Sequence, residues 1–171
     1  TDFDLSQHEK FSGKKLQYFD HEENKSYVPY VLETSIGLDR MFLAVFSNSL
    51  QEEELENGTS RVVLKLPAVL APTKAAILPL VKKDGLPEIA RKIVEDLKWD
   101  FSVTYDEKDA VGRRYRRQDA VGTPFCITVD HDTLEDNTVT VRDRDTMAQE
   151  RVAIDRLHTL VSKKVDFRNY L

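Results

Sequence analysis

AAILPLVKKDGLPEIARKIVEDLKWDFSVTY, residues 75–105, is the stretch from which the fold is read. AAILPLV (75–81) is a short continuous apolar run, the pattern of a strand buried on both faces. In DGLPEIARKIVEDLKW the residues Leu86, Ile89, Ile93 and Leu97 recur at helical spacing and share one face. Pro87 and Glu88 sit where a first helical turn tolerates proline and favours negative charge. FSVTY (101–105) returns to aromatic and β-branched residues, a second strand. Downstream, GRRYRRQDAVG (112–122) reads as a short helix stopped by Gly122. PFCITVD (124–130), TVTVRD (138–143) and ERVAI (150–154) are strands. DHDTLEDN between the first two reads as a hairpin-type connection. Asp155 is placed to N-cap a last helix, RLHTLVSKKV, with Leu157, Leu160 and Val161 inward. The order β-α-β-α-β-β-β-α predicts an α/β fold: a five-stranded mixed sheet flanked by three helices. The strands joined by helices should run parallel, and the last three antiparallel.

Upstream, LQYF (16–19) and SYVPYVLE (26–33) read as two strands joined by the loop DHEENK. Pro29 makes the second an edge or irregular strand. From Gly37 the period changes. Leu38, Met41, Phe42, Val45 and Phe46 follow an amphipathic helical spacing. The helix fades into QEEELENGTS (51–60), an acidic, glycine-containing stretch read as a linker. The domain boundary is therefore placed near it, dividing residues 1–60 from 61–171.

Composition bounds what such a chain does. Its 171 residues carry 25 basic and 30 acidic side chains, for a formal charge of −5. Apolar residues make up 40% and charged residues 32%, which excludes disordered and low-complexity classes. No apolar run approaches the roughly 20 residues that span a bilayer. The single Cys126 excludes an internal disulfide and points to a reducing compartment. TDFDLSQHEK is neither a signal nor a transit peptide. It is not a Met start, so a processed chain or an excised piece is expected. Residues 1–66 hold 7 basic and 12 acidic groups, residues 67–171 hold 18 of each. Overall charge thus argues against coating DNA, yet Arg113, Arg114, Arg116 and Arg117 fall within five positions and Arg142 and Arg144 alternate with aspartates. Such clusters offer phosphate a local basic face. A solvated helix face, with Asp109 and Asp119 as partners, is the bland alternative.

Metal binding by the protein's own residues is not expected. His8, His21, His131 and His158 are scattered and never share a helix face. DHDTLEDN lacks the glycine and terminal glutamate of a calcium loop. Cys126 lies mid-strand, where cysteine behaves as a small hydrophobe. There is no nucleophile elbow or Walker loop. The informative segment is ETSIGLDRMF, residues 33–42. A strand ends in an acid, the chain turns through small residues, and an arginine opens a helix. Small residues let a ligand approach the backbone, and Arg40 offers a planar charged fork that suits phosphate. On pattern alone, a plain strand-to-helix turn with an Arg–Asp surface pair is the simpler reading.

SxGxxR followed by an apolar helix resembles motif 3 of class II aminoacyl-tRNA synthetases, with Gly37 and Arg40 kept and Ser35 and Asp39 in place of two glycines. TDFDLSQH, FSGKKLQYFD, YVPYVLETSIGLDR, LAPTKAAILPLVKKDGLPEIARKI, GRRYRRQDAVGTPF and TVTVRDRDTMAQERVAI together resemble the dimeric type of glycyl-tRNA synthetase over nearly the whole chain. The resemblance implies activation of glycine with ATP and Mg²⁺ to glycyl-adenylate, then transfer to tRNA(Gly). It implies that Arg40 binds the ATP phosphates as the catalytic arginine. Glu33 and Ser35 would face the glycine ammonium, and Glu33 and Gly37 would share the ATP pocket with Arg40. A carboxylate is an acceptor-only group and pairs with an ammonium. A small pocket excludes every larger amino acid sterically.

The same resemblance makes the second part a class IIa anticodon-binding domain, preceded by the end of an antiparallel-sheet catalytic domain. Arg113, Arg114, Arg116, Arg117, Arg142 and Arg144 then become candidates for tRNA contact. A homodimeric, cytoplasmic parent enzyme is implied, with no membrane or DNA partner. Motif 1 and motif 2 are not found upstream of Glu33. The chain is therefore expected to be a C-terminal piece that does not activate glycine alone. The competing reading is a non-catalytic nucleic-acid-binding accessory module on the same fold. Glu33, Ser35 and Arg40 speak against it, since such a module is free to lose them.

Overall fold

The computed structural model describes residues 1–55 and 58–170. The chain divides into two compact units, Thr1–Met41 and Phe42–Leu171. The second contains the predicted sheet. β5 (Ala75–Pro79) is central and wholly buried, flanked by β6 (Val103–Tyr105) and β7 (Phe125–Val129), both parallel to it. β8 (Thr138–Asp143) and β9 (Gln149–Ala153) continue the sheet antiparallel, giving the order β6-β5-β7-β8-β9.

The parity of the strand residues decides what covers each face. Ala75, Ile77, Phe125, Ile127, Val129, Val139 and Val141 point to one side. There they pack with Leu86, Ala90, Ile93 and Leu97 of α3 (Leu86–Leu97) and with Leu157 and Val161 of α6 (Leu157–Val165). Ala76, Leu78 and Cys126 point to the other side, toward Tyr115 of α4 (Val111–Val121). Each fully buried aliphatic side chain contributes about 1.5–3 kcal/mol. Desolvation pushes the Cys126 thiol up to about 12, as expected of a cysteine that only packs.

Elsewhere the structure departs from the sequence reading. QEEELENGTS is not a linker as far as it is described: Leu50–Glu54 form β3, which pairs antiparallel with β4 (Ser60–Leu64). The acidic run is compensated across the hairpin. Glu53 meets Arg61 and Lys65, and Glu52 accepts from Ser60 at 2.8 Å. Residues 56 and 57, at the centre of that stretch, lie outside the described residues. Residues 42–60 therefore group with the sheet, and the position chosen for the domain boundary lies at the hairpin. DHDTLEDN holds a one-turn helix, α5 (Asp132–Asp136). Asp130 accepts from the Thr133 N–H at 3.2 Å, while the Thr133 hydroxyl accepts from the Asp130 N–H at 3.1 Å. Asp155 does not N-cap α6. It sits within a 3₁₀ turn, Ile154–Arg156, and α6 begins without a side-chain cap.

In the first unit, α1 (Phe3–Ser12) was not signalled by periodicity and buries no residue; Gly13, at φ 66°, ends it. The two predicted strands shorten to β1 (Tyr18–Asp20) and β2 (Lys25–Tyr27), closed by Asp20 accepting from the Glu22 and Glu23 N–H groups at 2.9 and 3.1 Å. Residues 28–37, Pro29 included, are irregular. α2 (Leu38–Ser49) forms as predicted and runs across the division between the units.

Gly122 closes α4 in the left-handed region, at φ 83°, and a Cβ there would lie 3.0 Å from the Leu64 carbonyl oxygen. Gly112, inside the same helix, has nothing within 4 Å of its would-be Cβ. Gly122→Ala should therefore lower stability by about 1–3 kcal/mol. Gly112→Ala should be neutral or stabilising by up to about 1 kcal/mol. Urea denaturation of the two variants checks the contrast.

Candidate functional site

The strand-to-helix corner comes first. Glu33, Ser35, Gly37 and Arg40 are all exposed. The Met41 N–H donates to the Gly37 carbonyl at 3.0 Å, so Gly37 marks the entry to α2. The Arg40 stem lies 3.7 Å from where a Gly37 Cβ would be, so the absent side chain keeps open the space beside the arginine. Among the described residues neither the Glu33 nor the Arg40 side chain makes a hydrogen bond or ion pair, and Asp39 is not paired with Arg40. The plain surface-pair reading of this corner is therefore not what the structure holds. Of the apolar stripe of α2, Leu38, Met41, Phe42 and Phe46 are exposed and Val45 is half-buried.

The six arginines of the second unit divide sharply. Arg114 is 1% exposed. Its Nη1 donates to the Pro79 and Asp106 carbonyls at 2.7 and 3.0 Å and its Nη2 to the Leu80 carbonyl at 3.3 Å, while Nε has no partner. It ties α4 to the C-terminal ends of β5 and β6. Arg142 is buried and donates twice to the Asp119 carboxylate, at 2.7 and 3.0 Å, with its guanidinium 4.9 Å from the Tyr115 ring centroid. Arg144 is buried and donates to the Gly122 and Leu66 carbonyls, each at 2.8 Å, and to Asp145. These three correct the reading of all six as surface groups. Helical spacing turns position 114 inward, away from 113, 116 and 117, and the register of β8 turns Arg142 inward.

Arg117 is exposed but committed. It donates to Asp109 at 2.8 Å, and to Asp106 and the Lys108 carbonyl at 2.7 Å each, which braces the loop before α4. Burial works to raise the Asp106 carboxyl, but Arg117 and the Lys108 N–H outweigh it and hold the group below its ordinary value. Asp130 is likewise held low: burial is offset by Arg151, at 2.6 Å, and by Thr133. Only Arg113 and Arg116 among the six are exposed with side chains that make no hydrogen bond or ion pair among the described residues. They are available to an external phosphate or base.

Sequence reasoning missed Arg61. It is 3% exposed and donates to Asp119 at 3.1 Å and to the Arg144 carbonyl at 2.8 Å. Nothing in its neighbourhood, TSRVVL, signals a partner 58 residues away. Asp119, expected as a surface partner, is fully buried between Arg61 and Arg142.

The chain has counterparts in fold among solved structures. It aligns with the RNA binding domain of threonyl-tRNA synthetase from Cryptosporidium parvum at TM-score 0.53 and 25% identity, over 58% of this chain and 25% of that one. It shares its fold with prolyl-tRNA synthetase from the same organism, at TM-score 0.56 over 67% of this chain and 30% of that one. Residues 74–164 match the anticodon binding domain family, and the chain belongs to it. It is also similar to glycine–tRNA ligases. It is 53% identical to that of Chlorobaculum tepidum over 96% of this chain, and 53% identical to that of Clostridium tetani over 98%. It spans about a third of their length, 35% and 36%. No helix among the described residues is long and apolar enough to cross a membrane.

The depressed carboxylates set a pH dependence. Asp106, Asp130 and Asp143 all lie below the ordinary value of 3.8. On acidification the unfolded chain takes up their protons first, so stability falls as pH drops through that value. Thermal unfolding should show a midpoint that is flat down to about pH 5 and declines steeply below about pH 4. A midpoint that rises on acidification contradicts the assignment.

Proposed function

We propose that this chain is the C-terminal part of a glycine–tRNA ligase. The parent enzyme activates glycine with ATP, supplied as its Mg²⁺ complex, to glycyl-adenylate and transfers the glycine to tRNA(Gly). The observation that carries this reading is the 53% identity to a glycine–tRNA ligase over 96% of the chain. With it goes the assignment of the N-terminal unit to the end of the catalytic domain and of residues 61–171 to the anticodon-binding domain, with the hairpin across residue 60 going with the latter.

The corner supports the chemistry. Arg40, whose guanidinium no described residue engages, takes the triphosphate charge, and Gly37 leaves the approach clear. Glu33 receives the glycine ammonium and Ser35 lines the same pocket. An acceptor-only carboxylate pairs with an ammonium, and small neighbours leave room for no larger amino acid. The exposed apolar stripe of α2 supports a larger catalytic body, because such a face is ordinarily covered. The chain alone leaves glycine unactivated under this reading, since motifs 1 and 2 belong to the rest of that body. The parent is a cytoplasmic homodimer.

For tRNA the reading narrows from six arginines to two. Arg113 and Arg116 meet the anticodon arm, while Arg117 shapes the loop beside them. Single-stranded bases are read by stacking and edge contacts on such a surface. Titrating the 171-residue chain with an anticodon stem-loop RNA bearing a glycine anticodon tests it. A changed middle anticodon base should cost roughly 1–3 kcal/mol, by analogy with base-edge contacts in DNA. Arg116→Glu should weaken binding and reduce the salt slope by about one. Equal affinity for both RNAs, with Arg116→Glu silent, overturns the assignment.

A further inference from the structure

The Arg61–Asp119–Arg142 cluster has no part in the proposed chemistry, yet it is the most buried ionic group of the described residues. Arg61 belongs to β4. Every other member belongs to the anticodon-binding sheet or its helices: Asp119 to the end of α4, Arg142 to β8, and the Arg144 and Asp145 carbonyls to the turn after β8. Arg61 bonds to two of these, α4 and the turn, and meets Arg142 through the shared Asp119, beside the packing of Leu64 against Gly122. On the hairpin it is anchored by Glu53, to which its Nε donates at 2.7 Å. On the sheet it reaches Asp119 at 3.1 Å and the Arg144 carbonyl at 2.8 Å.

We infer that Arg61 is a positioning residue: a buried latch that holds the β3–β4 hairpin against α4 and the turn after β8, and so steadies the helix that carries Arg113 and Arg116 for tRNA. The partner list makes this latch separable from the fold of the sheet. Asp119 keeps its two-pronged bond to Arg142 if Arg61 is lost, and Glu53 keeps Lys65. No carboxylate is stranded without a cation, which is the usual reason that breaking a buried ion pair unfolds a protein. What is lost is the fork that joins Glu53, Asp119 and the turn carbonyls, a job for which a planar guanidinium is shaped and a lysine is not. The hairpin continues directly from α2, with Ser49 ending one and Leu50 beginning the other. Arg113 and Arg116, proposed for tRNA, stand on α4, the helix whose Asp119 Arg61 holds, so slack at this joint reaches the helix that carries them.

The test has two arms. In the 171-residue chain, Arg61→Met is compared with wild type by amide hydrogen exchange. Exchange at Val63 and Lys65, whose N–H groups face the preceding strand, should accelerate about tenfold or more, while amides of β5 and β7 keep their protection. Uniform acceleration, or none, overturns the latch. In the parent enzyme, Arg61→Met should lower tRNA charging about tenfold and leave ATP–pyrophosphate exchange at the wild-type rate, with Arg61→Lys restoring part of the charging. Loss of both activities together, or of neither, also overturns it. This second arm rests on the ligase reading and the first does not. If that reading fails, wild-type parent protein charges no tRNA while the amide result stands.

Discussion

One carboxylate organises the second unit. Asp119 is fully buried, and two guanidinium groups share it: Arg142 from the sheet at 2.7 and 3.0 Å, and Arg61 from the hairpin at 3.1 Å. An ionised carboxylate that deep is tolerated only when charge and lone pairs are both answered. Here two cations answer the charge, and the arginine forks answer the geometry. The surplus positive charge is spread onto Glu53 and onto backbone carbonyls. The C-terminus of α4, the end of β8 and the start of β4 meet at this point. Gly122 must also be small here, because Leu64 lies against it.

That constraint divides the arginines by role. Arg114 and Arg144 spend their donors on carbonyls at strand ends and turns, as Arg142 spends its own on Asp119. Arg117 braces a loop whose Asp109 stands at φ 71°, a strained conformation for a residue with a side chain. With these commitments made, α4 is held rigidly and presents Arg113 and Arg116 outward. A rigid helix bearing free cations is a better platform for an RNA loop than a flexible basic tail, because less order must be imposed on binding.

The sheet was legible because its cause is local. Continuous apolar runs, a helix with one apolar stripe and turns of the right length specify strand order and direction almost without reference to distant residues. The entry to α2 at Gly37 and the stop of α4 at Gly122 were legible for the same reason. What was hidden has distant causes. QEEELENGTS looks like a linker until Arg61 and Lys65 neutralise Glu53 across the hairpin. GRRYRRQD looks like a solvated face because a buried arginine bonded to carbonyls carries no mark of its partners in the sequence. The inward face of α4 carries only Val111 and Tyr115 as apolar markers, and the apolar Val121 is exposed, so the sequence offers little to set Arg114 apart from Arg113. The resemblance to the synthetase motif located the corner at 33–40, yet only the structure shows that Arg40 is left unpaired by its neighbours.

The most direct test of this account is a double-mutant cycle on Asp119 and Arg142, using Asp119→Asn, Arg142→Met and the pair, read by urea denaturation. If the buried carboxylate organises the unit, each single change should cost about 3–5 kcal/mol. The double variant should then cost clearly less than the sum of the two, since Asp119→Asn removes the carboxylate that Arg142 serves and Arg61 keeps Glu53. Costs that simply add would contradict it, showing that the two side chains act independently.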